Sequence, residues 1–330
     1  MIPQVPTRDP FTALLEDQGV IILDGGLATE LEARGHDLTD DLWSARLILE
    51  APESIRRLHL DYLEAGADCI VSASYQASVA GFRRKGLDQE QAVRMVRRSV
   101  ELALATREAF WAIPRNRSDR RRPLVAASVG PYGAFLADGS EYKGTYDLDA
   151  NGLADFHRQR LQILAASDAD VLACETIPSA LEARVLVGLL ESIPDCCAWM
   201  SFSCRDGTHI SDGTEIAAIA AEVAESSRVV AVGINCTAPR HIASLIAILR
   251  EVDVGPIVVY PNSGESYDAE AKRWLPGEHH LDLADDAARW VEMGARIVGG
   301  CCRTKPRDIR RLRRRLLAGA RSTRLASGPG

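Results

Sequence analysis

The stretch VVAVGINCTAP, residues 229–239, shows in one place the pattern that decides the fold of this chain. Val229 to Ile234 form a run without polar side chains, polar residues follow directly, and Pro239 stands where a helix would begin. Continuous rather than alternating hydrophobicity is typical of a strand buried on both faces of a parallel sheet. Proline suits the first turn of a helix, where an amide hydrogen has no partner to lose. The stretch therefore predicts a strand that leads into a helix.

The same strand-to-helix pattern recurs along the chain. Similar apolar runs lie at 20–23, 69–71, 124–127, 171–173, 198–202, 257–260 and 296–298. Helix signals lie near 52–65, 88–110, 151–167, 179–190, 214–226, 239–252, 280–293 and 306–317. About eight alternations at this length favour a closed (β/α)8 barrel, a TIM barrel, as a single domain, with a doubly wound open sheet as the alternative.

Composition and charge restrict the function classes. Of 330 residues, 46% are hydrophobic and 26% are charged, and the net charge is −7. Phosphate contacts need a basic face, so this charge argues against a nucleic-acid-binding protein. The N-terminus lacks a secretory signal, and no run of about 18 apolar residues predicts a membrane span. We expect a soluble cytoplasmic protein with no nucleic-acid or membrane partner, whose oligomeric state stays open, a monomer included.

The domain boundaries follow from the same pattern. We assign an N-terminal segment to residues 1–19, the barrel to 20–318 and a disordered tail to 319–330. The basic run from Arg115 to Arg122 contains proline, asparagine and serine, which predicts a solvated loop rather than an anion site.

Three cysteines follow predicted strands at the point where an active site would lie. In (β/α)8 barrels the active site is at the carboxyl ends of the strands, so polar residues placed there should converge. Cys236 follows the sixth strand, and Cys301 and Cys302 follow the last one. Three thiolates with one open position are typical of a catalytic zinc site. Inert packing and a redox disulfide of the adjacent pair remain alternatives on spacing alone.

The other five cysteines are assigned by their positions. Cys69 and Cys174 are predicted to be core thiols. Cys196 and Cys197 precede the fifth strand, at the opposite end of the barrel, and are predicted to be structural. Cys204 lies near the expected mouth and is the strongest competitor as a metal ligand.

Eight motifs in order resemble one known family. They are LDGGLATELEARG (23–35), SASYQAS (72–78), ASVGPYGAFLADGSEYKG (127–144), CETIPSALEA (174–183), ISDGT (210–214), GINCTAP (233–239), VVYPNSGESYD (258–268) and GGCCRTKP (299–306). Together they resemble the homocysteine S-methyltransferase family, from about residue 20 to about residue 317. PNSGESYD resembles most the branch that uses S-methylmethionine or S-adenosylmethionine. The extra C-terminal segment of the betaine-using branch and the cobalamin modules of methionine synthase have no counterpart here.

The resemblance implies a reaction and a metal site. It implies zinc bound by Cys236, Cys301 and Cys302, which act in catalysis by activating the thiol of homocysteine. A free thiol has a pKa of about 8.5, so most homocysteine would be protonated and weakly nucleophilic at neutral pH without the metal. The implied product of methyl transfer is methionine, formed without cobalamin.

Two carboxylates are the first candidates for substrate binding. The resemblance places homocysteine contacts on Asp24 and Glu175, which follow the first and fourth strands and suit an ammonium group. Taken singly, Asp24 also fits a turn and Glu175 also fits a helix N-terminus. Their placement at one expected mouth favours binding.

Four further polar residues are weaker candidates. Ser72 and Ser74 end the second strand and are candidates for hydrogen bonds to the homocysteine carboxylate. Asn235 is a candidate to orient a ligand or the backbone beside the cysteine that follows it. Glu265 is a candidate for donor recognition, although its turn-rich surroundings are explained by loop geometry alone.

Other functions remain as alternatives. A betaine-type or other thiol methyltransferase would use the same barrel. A zinc-binding or redox-sensing protein without catalysis would leave the carboxylates at the mouth without a purpose. A lyase or aldolase acting through lysine has only Lys305 near a predicted strand end.

Overall fold

The computed structural model describes residues 9–38, 43–118, 120–264, 266–268, 273–275 and 282–317. The predicted tail at 319–330 and the candidate Glu265 lie outside these residues.

Eight parallel strands form the barrel, and a short antiparallel hairpin, β8 with β9, lies apart from it. The strands are β1 (Ile21–Ile22), β2 (Cys69–Val71), β3 (Leu124–Val129), β4 (Val171–Ile177), β5 (Ala198–Phe202), β6 (Val229–Asn235), β7 (Ile257–Tyr260), β8 (Ser266–Asp268), β9 (Arg273–Leu275) and β10 (Ala295–Val298). The barrel order is β1-β10-β7-β6-β5-β4-β3-β2, and a parallel bridge between Leu23 and Cys69 completes the ring. The predicted TIM barrel is therefore confirmed against the open sheet.

Helices cover the outside of the ring, and the first of them closes its floor. They are α1 (Thr12–Gln18), α2 (Leu27–Ala33), α3 (Leu47–Glu50), α4 (Pro52–Ala65), α5 (Val79–Arg84), α6 (Gln89–Ala112), α7 (Tyr132–Leu136), α8 (Ala150–Ala165), α9 (Ala180–Glu191), α10 (Ile216–Ala224), α11 (Ile242–Glu251), α12 (Leu283–Met293) and α13 (Pro306–Leu317). The eight predicted helices are confirmed within a few residues, except that 239–241 forms a 3-10 turn before α11. None of the helices in the described part of the chain is long and apolar enough to cross a membrane.

Local sequence explains where the helices begin and end. Helix α4 has Pro52 in its first turn and ends at Gly66, whose φ of 110° is accessible to glycine at little cost. At the start of α6, the Asp88 carboxylate accepts the Gln91 backbone N–H while the Gln91 side chain accepts that of Asp88. Such a capping box satisfies two donors that would otherwise lack partners.

The barrel interior has its own apolar core, which the N-terminal segment helps to close. Phe11 and Leu14, at the start of α1, are buried in the same cluster as Trp199 from β5. The rings of Phe11 and Trp199 have centroids 6.1 Å apart. Part of the segment assigned to residues 1–19 therefore packs against the floor of the barrel.

A cluster of charged side chains at the floor of the barrel joins parts of the chain that are distant in sequence. The buried Asp68 carboxylate accepts hydrogen bonds from Gln18, from the Ile22 backbone N–H and from Arg313 of α13. Arg120 lies 3.7 Å from the same carboxylate, and its side chain is only 10% exposed. The prediction of a solvated basic loop is therefore wrong for Arg120, because the backbone carbonyls of Leu63, in the last turn of α4, and of Ala67, between α4 and β2, accept its guanidinium protons.

Replacing Phe11 by alanine should lower the free energy of unfolding by about 3–5 kcal/mol, because a fully buried aromatic side chain is lost from the barrel floor. Denaturant unfolding of both proteins would measure the difference. Leu181, which is 40% exposed, is a control whose change to alanine should cost less than about 0.5 kcal/mol. A Phe11→Ala loss as small as that of Leu181→Ala would contradict the packing role.

Candidate active site

Three cysteine sulfur atoms meet at the carboxyl end of the barrel. Cys236 follows β6, whereas Cys301 and Cys302 follow β10 after two glycines. The Cys236 Sγ lies 2.7 Å from that of Cys301 and 3.5 Å from that of Cys302. All three sulfur atoms lie within 4.8 Å of one another. The structure thus brings together the three residues predicted as zinc ligands.

Close backbone packing explains the glycines on both sides of this cluster. The turn after β1 lies against the turn after β10, where the Gly300 N–H donates to the Asp24 carbonyl at 3.1 Å. A Cβ on Gly26 would lie 2.6 Å from the Cys301 carbonyl oxygen. A Cβ on Gly300 would lie 2.2 Å from the Thr304 hydroxyl. A side chain at Gly26 would therefore push the two turns apart, and one at Gly300 would distort the turn that carries Cys301 and Cys302.

The electrostatics of the cluster fit a bound cation. Hydrogen bonds from Cys301 and Cys302 hold the pKa of the Cys236 thiol well below its ordinary value. The same hydrogen-bonded contact with Cys236 raises the pKa of Cys301 and of Cys302, because a second thiolate would lie beside the first. A divalent ion would remove that obstacle, and three sulfur ligands suit zinc. The donor set therefore fits a thiolate zinc site with one open position.

Two buried carboxylates line the same cavity as the thiols. Asp24 accepts the Val71 backbone N–H at 2.8 Å, and burial raises its pKa well above the ordinary value. Glu175 accepts hydrogen bonds from the hydroxyls of Ser128 and Tyr260, yet burial still raises its pKa to about 7. Negative charge on Glu175 further raises the pKa of Asp24. A bound cation would relieve the cost of ionising both groups.

The two candidate serines differ in their access to the cavity. Ser72 lines it, whereas Ser74 is fully buried and does not. The Ser74 hydroxyl donates to the Ser128 carbonyl at 2.7 Å, and the Ser72 oxygen accepts the Ser128 N–H at 3.2 Å. Both hydroxyls thus join the ends of β2 and β3. The structure does not bring Ser74 to a position where it could contact a ligand.

Asn235 orients backbone rather than lining the cavity. Its side-chain oxygen accepts the Thr176 N–H at 2.7 Å, and its amide donates to the Thr176 hydroxyl at 2.7 Å. Thr176 has a φ of 59°, a conformation that is rare for a β-branched residue. The two hydrogen bonds stabilise this irregular position of β4, directly after Glu175, where the pairing with β5 shifts register, and so help to place that carboxylate.

Several cavity residues were missed by the sequence reasoning. Glu141 and Tyr142 lie on the loop between β3 and α8, and the Tyr142 hydroxyl is 3.9 Å from the Cys236 Sγ. Tyr260, the last residue of β7, donates to Glu175 at 3.1 Å and accepts the Trp199 indole N–H at 2.9 Å. Tyr260 could have been found as a polar residue at a strand end. For Glu141 and Tyr142, the only signal in the sequence was that both belong to the motif at 127–144.

The remaining cysteines lie away from the thiol cluster. Cys69 and Cys197 belong to the barrel interior, and Cys174 and Cys196 to the core between sheet and helices. The predictions that these four are core or structural thiols are confirmed. Cys204 packs at the edge of the outer core and does not join the cluster.

Glu175→Gln should change how stability depends on pH. The folded protein binds the Glu175 proton up to about pH 7, whereas an unfolded chain releases it near pH 4.3. Because the folded state holds more protons between these values, wild-type stability should fall as pH rises through this window, by up to about 3 kcal/mol from this group. The variant should lack this loss, so its stability relative to the wild type should increase from pH 5 to pH 8.

Denaturant unfolding of the metal-free proteins at both pH values would test this expectation. Glu222→Gln is the control, because the hydrogen bond from Arg184 lowers the pKa of that exposed carboxylate, which stays ionised throughout the window. A Glu175→Gln difference that stays constant with pH, like that of the control, would refute a raised pKa.

Comparisons with known proteins agree with this geometry. The sequence profile of the homocysteine S-methyltransferase family matches residues 21–316. Homocysteine S-methyltransferase YbgG of Bacillus subtilis is 48% identical over 304 residues, 92% of this chain and 96% of its own length. Homocysteine S-methyltransferase of Escherichia coli is 49% identical over 309 residues, 93% of this chain and 99% of its own. The metallated crystal structure of homocysteine methyltransferase MmuM from Escherichia coli superposes with a TM-score of 0.84 at 46% identity, covering 93% of this chain and 100% of that one.

Proposed function

The chain belongs to the homocysteine S-methyltransferase family, and from this premise we propose a zinc-dependent transfer of a methyl group from S-methylmethionine or S-adenosylmethionine to L-homocysteine. The products are methionine and the demethylated donor, and cobalamin takes no part. The observation that carries the proposal is the convergence of three thiols and two buried carboxylates on one cavity.

Cys236, Cys301 and Cys302 would hold the zinc ion. When bound there, zinc supplies a Lewis acid that lowers the pKa of a coordinated substrate thiol below its free value of about 8.5. Three cysteine thiolates carry more negative charge than one divalent ion neutralises, so they keep the substrate sulfur electron-rich and nucleophilic.

Asp24 and Glu175 would bind the ammonium group of homocysteine. Among the lining residues that the structure describes, none is lysine, arginine or histidine, so the wall offers groups that become negative on ionisation and no positive group to compete with a bound cation. An ammonium group between the two carboxylates would allow both to ionise despite their burial. Tyr260 and Ser128 orient Glu175 for this contact through their hydroxyl groups.

The transfer itself needs alignment more than proton movement. The homocysteine sulfur provides the electron pair of the new S–CH3 bond, and the pair of the broken bond stays on the donor sulfur. The donor sulfonium thereby becomes a neutral thioether, and the only proton released is that of the homocysteine thiol. Holding the two sulfur atoms in line in one cavity therefore supplies much of the rate enhancement.

The reduced state of the thiols also supports a proposal about the cellular compartment. Cys236, Cys301 and Cys302 are free thiols that form no disulfide, although two of them are adjacent in sequence. A thiolate zinc site works only with reduced sulfur, which a reducing compartment maintains. The proposal therefore includes a cytoplasmic enzyme.

Cys301→Ser should abolish zinc binding and turnover while the barrel stays folded, because the core does not include the ion. Metal analysis, methionine formation and circular dichroism on one preparation would measure the three properties. Cys204→Ser is the matched control, since this thiol lies outside the cluster and its loss should leave zinc content and rate unchanged. Wild-type zinc content and rate in Cys301→Ser would refute the assignment.

The donor is tested by methionine formation from homocysteine, with S-methylmethionine and S-adenosylmethionine supplied separately. Turnover should disappear on chelation and return with added zinc. Stoichiometric zinc without turnover on either sulfonium donor would overturn the donor assignment and leave only the metal site.

A further inference from the structure

Glu141 differs from the other two carboxylates of the cavity in its free hydrogen-bonding capacity. Its Oε2 atom is buried and has no hydrogen-bond partner among the described residues. In contrast, hydroxyl groups donate to both oxygens of Glu175, and a backbone N–H donates to Asp24. A buried carboxylate oxygen without a donor is costly and indicates a partner that arrives with a ligand.

The loop between β3 and α8 holds Glu141 in place from two sides. The Ser203 hydroxyl donates to the Glu141 carbonyl at 3.1 Å. Gly133 approaches so closely that a Cβ there would lie 2.4 Å from the Glu141 nitrogen. The adjacent Tyr142 reaches the Cys236 sulfur. These contacts fix the backbone of Glu141, whose side chain lines the cavity near enough to Cys236 that burial, together with the charge of that thiol, raises the pKa of Glu141 to about 7.

The two substrates together carry enough positive groups for a third carboxylate of the cavity to have a partner. Its described lining contains the carboxylates Asp24, Glu141 and Glu175 and no basic side chain. Homocysteine brings one ammonium group, and an amino-acid sulfonium donor brings an ammonium group and a sulfonium. In-line transfer also requires the homocysteine sulfur to approach the methyl carbon of the donor within about 3–3.5 Å, so the sulfonium that carries this methyl group must lie near the thiol cluster. Glu141 and Glu175 both lie near enough to Cys236 to interact with its charge, and of these two Glu141 is the one with a carboxylate oxygen that has no hydrogen-bond donor among the described residues.

We propose that Glu141 binds the positively charged sulfonium of the methyl donor and thereby selects a sulfonium over the corresponding neutral thioether. This inference rests on the function proposed above. The sulfonium loses its charge during transfer, so the attraction is greatest in the bound donor and absent in its thioether product. Removing the charge should therefore affect donor binding more than the chemical step.

Glu141→Gln keeps the side-chain shape and removes the charge. In the zinc-loaded full chain, the KM for the sulfonium donor should rise by about tenfold or more, since one close charge pair is lost. The KM for homocysteine and kcat should stay within about threefold of the wild type. Asp147→Asn is the matched control, because it removes an exposed charge from the same loop outside the cavity and should change none of these constants.

Equilibrium binding separates the sulfonium from the rest of the donor. S-methylmethionine and methionine share the amino-acid part, and S-adenosylmethionine and S-adenosylhomocysteine form the equivalent pair for the other donor. Glu141→Gln should weaken only the sulfonium member of each pair. Equal weakening of both members would show that Glu141 binds another part of the donor and would overturn the inference.

The remaining outcomes separate this inference from the proposed function. A rise confined to the homocysteine KM, or constants identical to those of Asp147→Asn, would overturn the role of Glu141 while leaving the methyltransferase intact. Absence of turnover in the wild type with either sulfonium donor would overturn the proposed function and this inference with it.

Discussion

Closure of the parallel sheet is the constraint on which the rest of the structure depends. The parallel bridge between Leu23 and Cys69 and the pairing of β1 with β10 join the two ends of the sheet into a ring. Since all eight strands run in one direction, every strand delivers the residues that follow it to the same rim. The turn containing Asp24 therefore meets the turn containing Cys301, although they lie at opposite ends of the chain.

The rim holds an arrangement that is unfavourable without ligands. Burial raises the pKa of both Asp24 and Glu175, and the charge of Glu175 raises that of Asp24 further. Contact with Cys236 likewise raises the pKa of Cys301 and Cys302. The apolar core inside the barrel and the one between the sheet and the helices offset the free-energy cost of burying these groups. These carboxyl and thiol groups become negative when they ionise, so the site is preorganised to bind cations, both a metal ion and positively charged substrates.

The sequence predicts correctly the position of a residue that follows from the backbone of the barrel. It is incomplete for residues whose position depends on neighbouring side chains. Cys236 follows its strand directly, so the barrel alone brings it to the rim. Ser74 and Asn235 also follow strands or end them, but hydrogen bonds to adjacent chain segments turn both away from the cavity. Arg120 stands in a basic run, yet Asp68 and two carbonyl groups from other elements bury it. Those partners are distant in sequence.

The sequence by itself determined the barrel, the order of its strands and helices, and the three thiols, because hydrophobic periodicity and strand-end position are local properties. Only the tertiary structure decided which polar groups face the cavity and how each is paired. Glu141 shows the difference. Its loop has no periodicity, and its position depends in part on a hydrogen bond from Ser203, which is 62 residues away in sequence and follows β5. Burial and hydrogen bonding are properties of the packed chain, and they set the chemistry of the site.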